Sequence, residues 1–203
     1  ALFHVDAAQA AGKIPIDVAA MQIDLLSLTA HKMYGPKGCG AIYLRKHRKI
    51  DPLIDGAGQE RGMRSGTLNV PGIVGLGAAC AICKTDMEKD DHRMAQLRDR
   101  LLAGLTSQLD GVVVNGSMAH RLPNNLNVTF NGVDGESLLV AISDIAVSSG
   151  SACTSASGTA SHVMRALLGS DAVPPATIRF GLGRPTPWLC SRPVPKLSIH
   201  VPK

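Results

Sequence analysis

Two groups of residues in this 203-residue sequence have the types and spacing to do chemistry. In the first, Asp6 and Gln9 stand near the start of the chain, and Thr29, His31 and Lys32 cluster further along. A lysine amine can form a Schiff base, a carboxylate can hold a ring nitrogen protonated, and neighbouring donors can bind a phosphate and a phenolic oxygen. Those are the parts of a pyridoxal phosphate site. A His-Lys pair taken alone is usually a solvated surface feature. The upstream Asp-x-x-Gln and the flanking Gly35-Pro36-Lys37-Gly38 weigh against that here, although spacing alone does not decide. In the second group, Ser148-Ser149-Gly150-Ser151-Ala152-Cys153-Thr154-Ser155-Ala156-Ser157 sets a cysteine among small polar residues. A thiol in an accessible loop suits a nucleophile that must travel to a substrate and away again. An ordinary serine-rich loop remains the alternative.

Both groups need elements to position them. Residues 2–6 and 23–28 are short β-rich runs separated by a segment with Pro15, which predicts strand, connection, strand. Neighbouring strand ends in an open α/β sheet converge on one crevice, so both motifs of the first group can reach one cofactor. Residues 40–44 read as a further strand after a strong glycine-proline turn. The loop 55–67 is glycine-rich and polar, a place for binding rather than core. From Val70 to Leu109 apolar residues recur at helical spacing, with the charged stretch 84–93 predicted to break two helices and to mark a domain boundary near residue 90. Beyond it, 112–114, 126–130, 145–148 and 177–182 read as strands, and 135–143 and 161–168 as helices, an α+β mixture.

Composition narrows the function classes. Hydrophobic residues make up 45% of the chain, enough for a buried core, and the sequence has no uninterrupted apolar run of membrane-spanning length, so no membrane partner is expected. The excess of 21 Lys+Arg over 16 Asp+Glu arises after Asp171, where Arg179, Arg184, Arg192, Lys196 and Lys203 meet no acidic residue. With aromatic content at 3% there are few rings to stack bases, and nucleic acid is not an expected partner. Five scattered cysteines argue for a reducing compartment over a disulfide framework. The opening Ala1-Leu2-Phe3-His4-Val5-Asp6 reads as a strand already under way, as if cut from a longer chain. Residues 185–203, with five prolines, are expected to form an extended tail.

The stretches Val5-Asp6-Ala7-Ala8-Gln9, Ala30-His31-Lys32-Met33-Tyr34-Gly35-Pro36-Lys37-Gly38, Glu60-Arg61-Gly62-Met63-Arg64-Ser65-Gly66-Thr67 and the Cys153 block resemble the cysteine desulfurases of iron–sulfur cluster assembly. These are pyridoxal phosphate enzymes of fold type I in the class V aminotransferase family, and the similarity runs from about residue 3 to Arg184. The resemblance implies an α/β fold: residues 1–90 as the C-terminal half of the cofactor-binding large domain, with a mostly parallel sheet, 91–184 as a small α+β domain with the cysteine loop, and 185–203 as a divergent tail. It implies that Lys32 holds the cofactor and moves the substrate's Cα proton, that Asp6 meets the ring nitrogen and Gln9 the phenolic oxygen, and that Thr29 and His31 bind the phosphate. Thr67 matches the residue that reaches into the neighbouring subunit's site, which implies a homodimer. Arg179 would pair the substrate carboxylate.

The implied substrate is L-cysteine, and the implied products are alanine and a persulfide on Cys153 that passes to an iron–sulfur scaffold protein or other sulfur acceptors. Cys153 would then be a transient ligand of a [2Fe-2S] cluster. The implied location is the bacterial cytoplasm or the mitochondrial matrix. Two further readings stand beside this one. The chain could be a non-catalytic truncated form that retains a dimerisation or partner surface, since the family's N-terminal phosphate loop, stacking His and Asn have no counterpart here. It could also be a selenocysteine lyase or another class V aminotransferase, although an ordinary aminotransferase has no need of the Cys153 loop. Cys80-x-x-Cys83 reads as helix packing ahead of a half zinc site or redox pair, and Cys39 as a packing residue. Arg61 and Arg64 fit either a solvated loop or a role at phosphate or a dimer interface.

Overall fold

In the computed structural model, which describes residues 1–149, 161–169 and 176–187, the chain divides into two units, Ala1–Asp90 and Asp91–Lys203. In the first, β1 (His4–Asp6) pairs in parallel with β2 (Leu25–Thr29), and β2 pairs antiparallel with β3 (Gly40–Leu44). A parallel pair needs a crossover, and residues 7–24 supply it through successive turns. Ala7, Ala11, Ile23, Leu26, Ala30 and Met33 fill the space beneath. Gly40 allows β3 to close on the end of β2, because a Cβ there would stand 2.5 Å from the Leu28 carbonyl oxygen. Buried Asp24 braces the start of β1: it accepts from the Phe3 N–H and from Arg48 Nε, both at 2.9 Å, with Arg45 Nε at 3.5 Å. The Phe3 bond, ahead of the two arginines, holds its carboxyl below the usual range against the opposing effect of burial.

Helix α1 (Val70–Gln108) is a single helix of 39 residues, so the charged stretch 84–93 does not break it. The stretch contains no glycine or proline, and Lys84, Thr85, Glu88, Lys89 and His92 are exposed. Charge directed into water is compatible with a helix; it is the apolar stripe that changes partner. Leu76, Ala79 and Cys83 join the first unit's core, and Leu105 joins the second's. Asn69 caps the start, accepting from the Gly72 N–H at 3.1 Å. One 18-residue window of α1 has a mean hydropathy of 1.3, apolar enough by length and composition to cross a membrane, a test that a soluble protein's core helix also passes.

The second unit has an antiparallel sheet in the order β4 (Val112–Val114), β5 (Asn125–Phe130), β6 (Thr177–Gly181). Alternation along β5 sends Leu126, Val128 and Phe130 into a core with Leu105, Leu138, Ile142, Ala176 and Ile178. The opposite face is polar: Asn115 Nδ2 donates to Asn127 Oδ1 at 2.7 Å and to Thr129 Oγ1 at 2.9 Å, and Thr129 shares a 3.0 Å bond with Thr177. Helix α2 (Gly135–Ala141) is capped by Asp134, and α3 (His162–Leu168) by Ser161. Residues 145–148 do not form the expected strand. The Ile145 N–H closes a turn on the Ile142 carbonyl, and Ser148 alone pairs, in an isolated bridge to Arg179. Arg93 on α1 donates to the carbonyls of Gly183, Arg184 and Thr186 at 2.7–3.0 Å, which fixes the chain just after β6. Pro185, Thr186 and Pro187 of the expected tail are described; 188–203 lie outside the described residues.

Candidate active site

Because β1 and β2 run parallel, their last residues, Asp6 and Thr29, lie at the same edge of the sheet. The exposed Asp6 carboxylate turns back to accept the Ala8 N–H at 2.9 Å, which starts the turn that carries Gln9. Thr29 Oγ1 shares a 2.9 Å hydrogen bond with His31 Nδ1, and the Cys39 carbonyl lies 3.4 Å from the same hydroxyl. A short 3₁₀ helix, Ala30–Met33, follows immediately. Its Ala30 and Met33 are buried, which leaves His31 exposed and Lys32 half-buried. Tyr34 ends it in the left-handed region at φ 65°, a conformation that non-glycine residues adopt only under constraint, and its N–H bonds the Ala30 carbonyl. The sheet edge thus carries Asp6 and Gln9 on the turn after β1, and Thr29, His31 and Lys32 at the end of β2 and in the 3₁₀ helix after it.

One residue of this arrangement escaped the sequence reading. Lys13 is 6% exposed, and its ammonium donates to the Gln9 carbonyl at 3.0 Å and to the Lys32 carbonyl at 3.2 Å. Burial pushes its pKa down, the charge of Lys32 adds to that, and Cys83 opposes it. The available signal was a lysine in the apolar stretch Ala10-Ala11-Gly12-Lys13-Ile14-Pro15-Ile16, where a solvated lysine is out of place.

Thr67 sits at the end of a loop that braces itself. Ser65 Oγ accepts the Gly58 N–H at 3.1 Å, Gln59 Oε1 accepts the Gly66 N–H at 2.9 Å, and Arg64 donates to the Gly66 and Thr67 carbonyls. Thr67 is exposed, and among the described residues no hydrogen bond joins it to the Asp6–Lys32 group.

Arg179 belongs to the second unit. It pairs with Asn127 across the sheet, on the polar face. A cavity of about 410 Å³ opens there, lined by Asn115, Arg121, Asn127, Ser149, Ser161 and Arg179 among others, and among the described residues none that lines it is acidic. Arg121 is committed to its surroundings, donating to the carbonyls of Ser117 and Asn115 and to Asn125 Oδ1. Sequence reading found Arg179 but not the asparagines beside it, because nothing in their spacing separates them from turn residues. Cys153 lies outside the described residues; Ser149, close before it, lines the cavity. Among the described residues no three His, Cys, Asp or Glu side chains gather as a metal site. Cys80 is exposed and Cys83 buried on α1.

The donor set of the first unit fits pyridoxal phosphate: an amine for the aldehyde, a carboxylate for the ring nitrogen, and a hydroxyl-imidazole pair for the phosphate, all at one sheet edge. Residues 1–186 match the family described as aminotransferase class-V. The chain belongs to that family. The chain is 54% identical over 185 residues to a cysteine desulfurase IscS of Anaeromyxobacter sp. strain K, covering 90% of this chain and 46% of the relative. It is 56% identical over 187 residues to a cysteine desulfurase IscS of Pasteurella multocida, covering 91% and 46%. Among solved structures, a NifS-like protein from Rickettsia africae superposes with a TM-score of 0.79 at 30% identity, covering 90% of this chain and 48% of that one. Another NifS-like protein superposes at 0.78 with 38% identity, covering 90% and 47%. The class V chain spans about half the length of the curated relatives it matches, and its mixed α/β fold is that of the fold-type-I neighbours.

Proposed function

We propose that this chain carries the lysine and cysteine machinery of a cysteine desulfurase that converts L-cysteine to L-alanine and leaves a persulfide on Cys153. The observation that carries the reading is the convergence of Asp6 with Thr29, His31 and Lys32 at one edge of the β1–β2 pair. The cysteine desulfurase names of relatives at 54–56% identity support it over a selenocysteine lyase or an ordinary aminotransferase.

Pyridoxal phosphate, when bound, supplies an electron sink for charge developing at the substrate's Cα. Lys32 would hold it through Nζ and would move the substrate's Cα proton. Asp6 holds the ring nitrogen protonated and Gln9 meets the phenolic oxygen. Thr29 and His31 take the phosphate. With the hydroxyl proton on the 2.9 Å bond, His31 Nδ1 accepts and Nε2–H is left to donate. Thr67 reaches the phosphate of the neighbouring site in a homodimer. Arg179 pairs the substrate carboxylate, in a cavity whose cationic and neutral lining suits an anion. The Cys153 thiolate attacks the substrate sulfur: an S–S bond forms as the Cβ–S bond breaks, and a proton reaches Cβ to complete alanine.

The persulfide then passes to an iron–sulfur scaffold protein or another acceptor, with Cys153 briefly a ligand of the [2Fe-2S] cluster built there. A reducing compartment keeps the thiol available, and the bacterial relatives support the cytoplasm over the mitochondrial matrix. In this reading 1–90 belongs to the cofactor domain, 91–184 is the cysteine-loop domain and 185–203 is a tail. The test is alanine release from L-cysteine by the purified protein with added pyridoxal phosphate. Release is expected. No alanine overturns the reading, and alanine from selenocysteine alone transfers it to the lyase.

A further inference from the structure

Lys13 is a buried cation among carbonyls, and among the described residues no carboxylate lies within ion-pair distance of it. Burying an ammonium is unfavourable unless its protons are satisfied. Here two of them reach the carbonyls of Gln9 and Lys32, which belong to separate segments. The turn that carries Lys13 is itself fixed. Ala10, Ala11 and Lys13 close on the carbonyls of Ala7 and Ala10. Gly12 packs so tightly on α1 that a Cβ would stand 2.6 Å from Cys83 Sγ. The ammonium is therefore a rigid strut between the turn after β1 and the 3₁₀ helix after β2.

We propose that Lys13 is a positioning residue for Lys32: its ammonium locks the Lys32 backbone to the Gln9 turn and so sets where the Lys32 amine projects relative to Asp6 and Gln9. This rests on the reading of Lys32 as the cofactor lysine. Hydrogen bonds from a charged donor are among the stronger ones in proteins, and misplacement of a reacting group by an ångström can reduce its reaction rate by about a hundredfold. Lys32 sits inside the 3₁₀ helix Ala30–Met33, and the Lys13 bond to its carbonyl is what ties that helix to the Gln9 turn.

The test compares the parent protein with Lys13→Met, which removes the donors at similar length, and Lys13→Arg, which keeps two donors. Each is treated with limiting pyridoxal 5'-phosphate and then borohydride, the adduct is located by peptide mass, and a thermal melt is recorded alongside. Lys13→Met is expected to melt cooperatively and to label Lys32 about tenfold less than the parent, the scale of one charge-assisted hydrogen bond, with Lys13→Arg within about threefold. A folded Lys13→Met that labels Lys32 like the parent overturns the inference. If Lys13→Met does not fold, Lys13→Gln, whose amide reaches one carbonyl, is read the same way, and parental labelling there overturns it equally. A parent that takes no label on Lys32 overturns the underlying reading instead.

Discussion

Ser148 and Arg179 exchange two backbone hydrogen bonds, N–H to carbonyl at 3.2 and 2.7 Å, which ties the residue five positions before Cys153 to the middle of β6. Arg179 also stands on the polar sheet face, beside Asn127 and at the wall of the cavity that Ser149 lines. The proposed carboxylate anchor and the start of the cysteine segment are thereby held by one strand.

Arg179→Lys tests that anchor. A point charge replaces a planar fork that can grip a carboxylate at two oxygens. KM for L-cysteine is expected to rise about tenfold with a smaller change in kcat, consistent with losing one strong charged hydrogen bond. An unchanged KM in steady-state alanine assays contradicts the assignment.

Ile178, next to Arg179, is 1% exposed and points into the opposite face, the second unit's core. Ile178→Ala is expected to destabilise the protein by about 2–5 kcal/mol, and Ile178→Val by about 0.5–1.5 kcal/mol. Urea unfolding of the two variants measures both, and a loss near zero for alanine contradicts the packing described.

Asp24 sets an acid limit. Its folded pKa lies below the ordinary value because it accepts the Phe3 N–H and faces Arg48 and Arg45. A carboxyl with a depressed folded pKa contributes stability that is fully present above the unfolded value of about 4 and is lost as pH falls through the folded pKa. Thermal melts from pH 6 downward (about two units above that value) are expected to lose stability in that window, and Asp24→Asn to flatten the loss. An identical acid limb in the variant contradicts it.

Cys80 and Cys83 differ in reach. Cys80 faces water and Cys83 packs against Ala79 and Leu76 in the first core. A maleimide reagent under native conditions is expected to modify Cys80 in minutes and to spare Cys83 until the protein is unfolded. Equal labelling of the two contradicts the helix orientation.

Much of this was legible from sequence. The strands around residues 4–6, 25–29, 40–44 and 126–130 follow from short β-rich runs bounded by turn residues, and the motif after β2 follows from Thr29-Ala30-His31-Lys32 between a strand and a glycine-proline turn. What sequence missed has physical reasons. The stretch 84–93 remains helical because charge on an exposed face does not interrupt backbone bonding, whereas residues 145–148 lose their strand to a turn that closes on Ile142. Lys13 was overlooked because a lysine is assumed to be solvated, and only the fold brings the Gln9 and Lys32 carbonyls to its ammonium. Asn115, Asn127 and Arg121 come together through strand pairing and side-chain bonds that no local motif encodes.

The most direct test of the central claim is the mass of the Cys153 peptide after the protein, loaded with pyridoxal phosphate, is given L-cysteine and quenched with an alkylating reagent. The account predicts one added sulfur atom on Cys153, appearing together with alanine and absent in Cys153→Ser. Alanine formed with no sulfur on Cys153, or sulfur retained on protein by Cys153→Ser, contradicts it.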